Sequence, residues 1–352
     1  MVLAFSMKRF RCSPEQLELI ASPAAYLQTL QALTAGARRR VFLSALYLGT
    51  DAQSRSLVGS CGEALRAGAE VRLLLDRGRA TRPGASSLEA LAPLLAGEQR
   101  GKAARVHLWE SPAAAGSPLR GLPRWGELAG VFHGKAQVAD GAVLLSGANL
   151  SQSYFTDRRD RYLLLHSPEV ADFFFGLLET LAAFAGEAGS GERPRRGTAE
   201  MRAAVERLFA AEEGEEEEKE GSDSQHVTVR PTCQLGCAGI SIDERIVGGF
   251  LEGLPEGGEL WLASGYFNLT SAHEALLFRL ADRLQVSAGA APCSPCWQTA
   301  RAGERAGERS GGQRVARQPR AQPPRAERLL GARGPLPAPR PAWHPPLRVE
   351  QR

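Results

Sequence analysis

His133-Gly-Lys-Ala-Gln-Val-Ala-Asp140, continued by Gly141-Ala-Val-Leu-Leu-Ser-Gly-Ala-Asn149, reads H-x-K-x4-D-x6-G-x-N, and its reading decides the rest of the chain. Residues 131–139 and 142–146 have the pattern of two β-strands, with Asp140-Gly141 as a tight turn between them. Side chains two residues apart on a strand leave it on the same side, so His133 and Lys135 are expected to face one substrate together. That pairing suits phosphorus chemistry. An imidazole can attack phosphorus and later leave, while the Lys135 ammonium and the Asn149 amide neutralise charge growing on the non-bridging oxygens. Asp140 is expected to orient or polarise within the site rather than act as a base.

Upstream, Ser22-Pro23 reads as an N-cap followed by the first helical position, which predicts a helix to about residue 37 and a strand over Val41–Leu48. The plan repeats. A helix near 52–67 leads to a strand over Glu70–Leu75, and a helix over 86–96 leads to a strand over Ala104–Leu108. Downstream of the motif a strand is expected over Arg161–Leu165. A helix then opens at Ser167-Pro168-Glu169, and its stripe Val170, Phe174, Leu177, Leu178 and Leu181 reads as core. Alternating helices and strands predict an α/β fold, a mixed sheet flanked by helices, with the first domain spanning residues 1–190.

Residues 191–226 are expected to form a solvated linker, because they are rich in Gly and charge and include the acidic run Glu212–Glu220. Beyond it, Leu260-Trp-Leu-Ala-Ser-Gly-Tyr-Phe267 follows the pattern of Val41-Phe-Leu-Ser-Ala-Leu-Tyr-Leu48, a faint internal repeat that makes 227–285 the start of a second half. Residues 287–352 contain no Ile, Phe, Tyr, Lys or Asp, so 286–352 is read as a disordered basic tail.

The formal charge of +4 conceals an asymmetry: residues 291–352 hold twelve Arg against four Glu, and the body before them is mildly acidic. Such a balance would suit nucleic acid or anionic lipid, but a tail this rich in Pro, Gly and Arg is read as disorder, and no nucleic acid partner is expected. No apolar run approaches the roughly 20 residues of a membrane-spanning helix, so contact with lipid is expected to be peripheral. Cys233/Cys237 and Cys293/Cys296 have short spacings, but no His stands at ligand distance, and the six cysteines are read as incidental thiols with no metal or cofactor expected. No G-x-x-x-x-G-K-[ST] run is present, so a nucleoside triphosphate site is not expected. Lys8, Arg9 and Arg11 precede the first acid, a weak organelle-targeting signature.

At the motif the chain resembles the phospholipase D superfamily. The flank Ser146-Gly-Ala-Asn-Leu-Ser-Gln-Ser-Tyr-Phe-Thr-Asp-Arg-Arg-Asp-Arg-Tyr162, with Ala45–Thr50 and Ser264–Thr270, is similar to the phosphatidylglycerophosphate synthases within it. The resemblance runs from about residue 16 to 285 and implies a phospholipase D-like fold and a mitochondrial location. It further implies CDP-diacylglycerol and glycerol 3-phosphate as substrates, met at a membrane surface. His133 would be the nucleophile, Lys135 and Asn149 would hold phosphate oxygens, and Asp140 would complete the motif. Arg158, Arg159 and Arg161 are placed either to bind an anionic substrate or to form surface pairs.

The family carries two such motifs, whose histidines act as nucleophile and general acid/base, and this chain has one. His273 and His344 do not begin an H-x-K. Tyr47 precedes His133 by 86 positions, and 86 positions after Tyr266 is Arg352, which leaves the second motif little room. The expectations are therefore a chain inactive alone, a homodimer that pools two single motifs, a phosphatidylserine synthase of the same superfamily, or a non-catalytic partner of a longer enzyme.

Overall fold

The computed structural model describes residues 7–96, 104–112, 130–189, 197–210, 226–264, 269–290 and 300–301. Contacts divide the chain into residues 1–300 and 301–352, and the architecture below belongs to the first unit. Expectations for the acidic run and for most of the tail fall outside the described residues.

After β1 (Phe10–Cys12) and β2 (Leu17–Ile20), the chain enters α1 (Pro23–Gly36) at Ser22, whose hydroxyl accepts the Ala25 N–H at 3.2 Å while Pro23 takes the first helical position. Next come β3 (Arg40–Ala45), α2 (Ala52–Ala67) and β4 (Glu70–Asp76). Asp51 caps α2 through the Ser54 N–H, and Gly68 at φ 96° makes the left-handed exit that an L side chain would resist. Short α3 (Arg77–Ala80), α4 (Ser87–Leu95) and β5 (Arg105–Trp109) follow, then the hairpin β6 (Ala136–Ala139) and β7 (Ala142–Ser146). The half closes with α5 (Gln152–Phe155), β8 (Tyr162–Leu165), α6 (Pro168–Ala182) and β9 (Gly186–Glu187).

These strands form one eight-stranded sheet in the order β2-β8-β7-β6-β3-β4-β5-β9, with β3, β4 and β5 parallel and the other pairings antiparallel. Strand periodicity sorts the core into two layers. Val41, Leu43, Val71, Leu73 and Leu75 pack with Tyr26, Leu30, Leu57 and Leu65 of α1 and α2, while Phe42, Leu74, Val138 and Val143 pack with Val170, Phe174 and Leu178 of α6. The stripe of α6 read as core from its spacing is buried throughout.

Several boundaries differ from the sequence reading. α7 (Thr198–Phe209) lies inside the segment expected to be linker, and its Met201, Val205 and Phe209 join the α6 layer. Charge dominates the composition of that segment, but three apolar residues at helical spacing suffice to anchor one face. β10 (Val227–Val229) then pairs with β1, and Ala238, Ile240 and Ile242 enter the same layer, so the start of the expected second half is packed into the first.

After the short pair β11 (Gln234–Leu235) and β12 (Ile240–Ser241) come α8 (Ile242–Glu252), β13 (Glu259–Ser264), α9 (Ser271–Ala281) and β14 (Gln285–Ala290). β13 and β14 are parallel over six residue pairs, as β3 and β4 are, which gives the faint repeat a structural counterpart. β14 also runs several residues into the stretch read as tail. No helix among the described residues is long and apolar enough to cross a membrane.

Candidate active site

β6 begins where β3 and β4 end. Leu43 lies opposite Gln137, and the buried Ser44 hydroxyl accepts the Ala136 N–H at 2.8 Å while donating to the Ala136 carbonyl at 3.1 Å. The Gln137 carboxamide clamps the Ser44 backbone from the other side, accepting its N–H at 3.2 Å and donating to its carbonyl at 2.8 Å. β7 runs back beside β6, so Gly147–Asn149 emerge at this same edge, as do Arg158–Arg161 ahead of β8, whose Tyr162 pairs with Ser146. His133, Lys135, Asn149, the arginine cluster and the end of β4 thus share the carboxyl edge of the parallel strands, the usual place for a site in an open α/β sheet.

His133 and Lys135 stand just ahead of β6 rather than within it, which corrects the expected strand over 131–139. Backbone bonding to Ser44 begins only at Ala136. The two side chains are nevertheless neighbours. The Lys135 ammonium donates to the His133 carbonyl at 2.9 Å, and its charge helps to lower the His133 pKa, after burial as the leading cause and ahead of Arg79. His133 keeps a solvent-accessible face, while the protein packed around the rest of the ring inclines it to the neutral form that a nucleophile requires. Gly134 is dictated by packing, since a Cβ there would lie 2.9 Å from the Phe132 ring, which is buried against Trp109.

Burial pulls the Lys135 pKa down to about 8, against the opposing charge of Asp160. Asp160 is held by the N–H groups of Gly147 at 3.2 Å and Arg161 at 2.8 Å, and a Cβ on Gly147 would meet its carboxylate at 2.7 Å. The G of G-x-N therefore admits the carboxylate that supports the lysine. Asn149 is buried, and its Oδ1 accepts the Leu46 N–H at 3.3 Å, which leaves the amide nitrogen as the end able to donate.

Asp140 is not at this edge. It sits at the β6–β7 turn at φ 48°, the opposite end of β6, where its carboxylate accepts the N–H groups of Arg38, Arg39 and Arg40 at 2.8, 2.9 and 3.0 Å. Burial would raise its pKa, but these three donors outweigh it and hold the carboxyl below its ordinary value. Its work in this structure is to pin the entry of β3 to the hairpin. Arg158, Arg159 and Arg161 are exposed at the site edge; Arg158 stacks over Tyr154 at 4.6 Å and donates to its hydroxyl at 2.9 Å. His273 opens α9, with Nδ1 2.8 Å from the Thr270 hydroxyl and 3.7 Å from Glu244.

Three residues of the edge escaped the sequence reading: Asp160, Asp76 and Arg79. Asp76 ends β4, is buried, and accepts the Phe132 N–H at 2.9 Å and the Arg79 N–H at 3.0 Å. The only signal in sequence was the charged run Asp76-Arg-Gly-Arg79 after an apolar strand. Elsewhere among the described residues lie grooves that include one of about 530 Å³ beside Asp140 and His166 and one of about 770 Å³ lined by Lys8, Arg11 and Arg207.

No family model matches the chain. It is similar to proteins named CDP-diacylglycerol--glycerol-3-phosphate 3-phosphatidyltransferase: 29% identical over 316 residues to the mitochondrial protein of Gallus gallus, covering 76% of this chain and 56% of that protein. Against the mitochondrial protein of Homo sapiens it is 35% identical over 182 residues, covering 49% of this chain and 32% of that one. The chain thus spans little more than half the length of its full-range relatives. Its fold is that of the phosphatidylserine synthase of Haemophilus influenzae, with a TM-score of 0.58 at 21% identity over 81% of this chain and 64% of that one.

Proposed function

We propose that the chain carries the nucleophile half of a mitochondrial phosphatidyltransferase, which moves a phosphatidyl group from CDP-diacylglycerol to glycerol 3-phosphate at a membrane surface. The observation that carries this reading is the neutral-leaning His133 beside a half-buried Lys135 at the carboxyl edge of the sheet, in a chain similar to relatives of that name.

A His133 ring nitrogen bonds to the lipid-bearing phosphorus as the P–O bond to CMP breaks, leaving a phosphatidyl-histidine. Lys135, supported by Asp160, and the Asn149 amide neutralise the non-bridging oxygens. The glycerol 3-phosphate hydroxyl then forms the new P–O bond, the N–P bond breaks, and the hydroxyl proton is released. Arg158, Arg159 and Arg161 receive the anionic acceptor. Protonation of the departing CMP by a general acid is a role worth roughly a hundredfold or more.

The test is CMP release from CDP-diacylglycerol with glycerol 3-phosphate or serine as acceptor, alongside trapping of a phosphatidyl adduct. An adduct lost in His133→Ala and discharged by glycerol 3-phosphate supports the reading. Discharge by serine alone would make the protein a phosphatidylserine synthase, and equal labelling of wild type and His133→Ala would reject His133 as nucleophile.

A further inference from the structure

We infer that Asp51 is a positioning residue of this site: its second carboxylate oxygen ties the loop after β3 to the loop after β7 and so fixes which end of the Asn149 amide is offered to a phosphate. The inference rests on the phosphatidyl-transfer reading for its ligand and on independent hydrogen-bond geometry for its residues.

The two loops lie side by side at the carboxyl edge. Leu48 and Leu150 form a parallel bridge, the Gly49 N–H donates to the Leu150 carbonyl at 2.7 Å, and the Leu46 N–H donates to Asn149 Oδ1 at 3.3 Å. The first loop is also anchored to the start of α4, where the buried Ser87 hydroxyl accepts the Leu48 N–H at 3.0 Å and donates to its carbonyl at 2.7 Å. A cap for α2 needs one oxygen, and Oδ1 of Asp51 fills that role with the Ser54 N–H at 2.9 Å. Oδ2 serves the other loop. It accepts the N–H of Gln152, 101 positions away, at 3.1 Å. It also lies 2.8 Å from the hydroxyl of the buried Ser54, which is itself 3.1 Å from the Leu150 carbonyl. Gly49 makes room for this contact, since a Cβ there would run into the Asp51 carboxylate and stand 2.7 Å from the Ser54 hydroxyl oxygen.

Asn149 therefore sits between two ties, its own Oδ1 to Leu46 on one side and the backbone bonds of Leu150 and Gln152 on the other. A carboxamide has a donor end and an acceptor end, and a half-turn of its plane would show a phosphate oxygen in place of nitrogen. Holding the two loops in register keeps Oδ1 on Leu46 and leaves the nitrogen for the phosphate. Misplacement by about an ångström is worth up to roughly a hundredfold in rate, so a residue that touches no substrate can still govern the chemistry.

The chain has two asparagines, Asn149 and Asn268, so nitrogen labelling of asparagine in the full chain reports two side-chain amides by NMR, and Asn268→Gln assigns them. The variants are Asp51→Ser, which keeps an oxygen for the Ser54 N–H and gives up the one for Gln152, and Asp51→Ala, which gives up both. The melting temperature should stay near that of wild type in Asp51→Ser and fall in Asp51→Ala. Both should shift the Asn149 amide signals and bind inorganic pyrophosphate roughly threefold to tenfold more weakly, the loss of about one hydrogen bond. Gly49→Ala, which crowds the carboxylate but leaves its charge, should act in the same direction. Unmoved Asn149 signals with pyrophosphate affinity within about twofold of wild type in Asp51→Ser would reduce Asp51 to a helix cap and overturn the inference, as would an absence of pyrophosphate binding by wild type. If the shifts and the weaker binding appear while wild type forms no phosphatidyl adduct from CDP-diacylglycerol, the Asp51 assignment stands and the phosphatidyl-transfer reading falls. An adduct formed equally fast by wild type and Asp51→Ser would leave that reading standing and remove Asp51 from it.

Discussion

The most exposed consequence of the site geometry is its behaviour in mild alkali. An ordinary lysine holds its proton to about pH 10.4, but burial brings Lys135 to about 8 even though Asp160 opposes the fall. With that value roughly nine-tenths of the ammonium is present at pH 7 and one-tenth at pH 9, so adduct formation from CDP-diacylglycerol should drop close to tenfold across the interval. His133 works in the opposite sense. Its pKa lies below 6.5, so the neutral nucleophile is already abundant at pH 7 and declines only on the acid side. The expected profile of adduct formation is a bell, its alkaline limb set by the lysine.

Three variants separate the causes. Lys135→Arg should remove the alkaline limb, since a guanidinium stays charged throughout the range, even if the plateau is lower. Asp160→Asn should shift the limb to lower pH, because it removes the charge that sustains the ammonium and leaves the burial. Asp140→Asn should leave it in place. Direct titration of the lysine by carbon NMR provides the assay without turnover, and a midpoint near 10.4 would refute the argument from burial.

Asp140→Ala should cost about 2 kcal/mol, since three N–H groups lose a shared acceptor, yet leave the His133 titration and pyrophosphate binding as in wild type; a selective loss of binding at unchanged thermal stability would return Asp140 to the site. Gly134→Ala forces a methyl against the buried Phe132 ring and should cost about 1–3 kcal/mol while weakening pyrophosphate binding, both readable from one melting series with and without ligand. His107 is buried, and burial leads the causes that lower its pKa, with Glu187 opposing and Arg105 and Arg72 adding. Its folded pKa lies below the unfolded 6.5, so the unfolded chain binds the extra proton first, and stability should fall as pH drops below about 6.5. His107→Leu should shallow that slope in denaturant titrations between pH 6.5 and 5, and an unchanged slope would show that the ring is neutral in neither state or in both.

Much of the fold was legible because hydrophobic period and caps agree along the first half. α1 begins at Ser22-Pro23 and α6 at Ser167-Pro168, both as read from the sequence, and the helix and strand on either side of Gly68 fall where periodicity placed them. The failures share one cause, which is that packing outranks composition. α7 was hidden among charges, although Met201, Val205 and Phe209 are enough to hold it on α6. β14 extends into a segment poor in aliphatic residues because its parallel partner β13 supplies the ladder.

The site was half legible for a different reason: a motif is a string, and a strand separates the two ends of that string in space. Lys135 and Asp140 bracket β6, so the two residues that look adjacent in H-x-K-x4-D belong to opposite edges of the sheet, one beside His133 and one at a turn. Antiparallel return then brings Gly147 and Asn149 back to the lysine's end of the strand, while Asp140 stays at the turn. Asp76 shows the converse. It stands 56 residues from Phe132 in the chain and 2.9 Å from its amide nitrogen, because parallel β4 ends at the edge where β6 begins. Spacing along one segment could expose the imidazole and the ammonium, but only the sheet order could bring a carboxylate from another crossover beneath them.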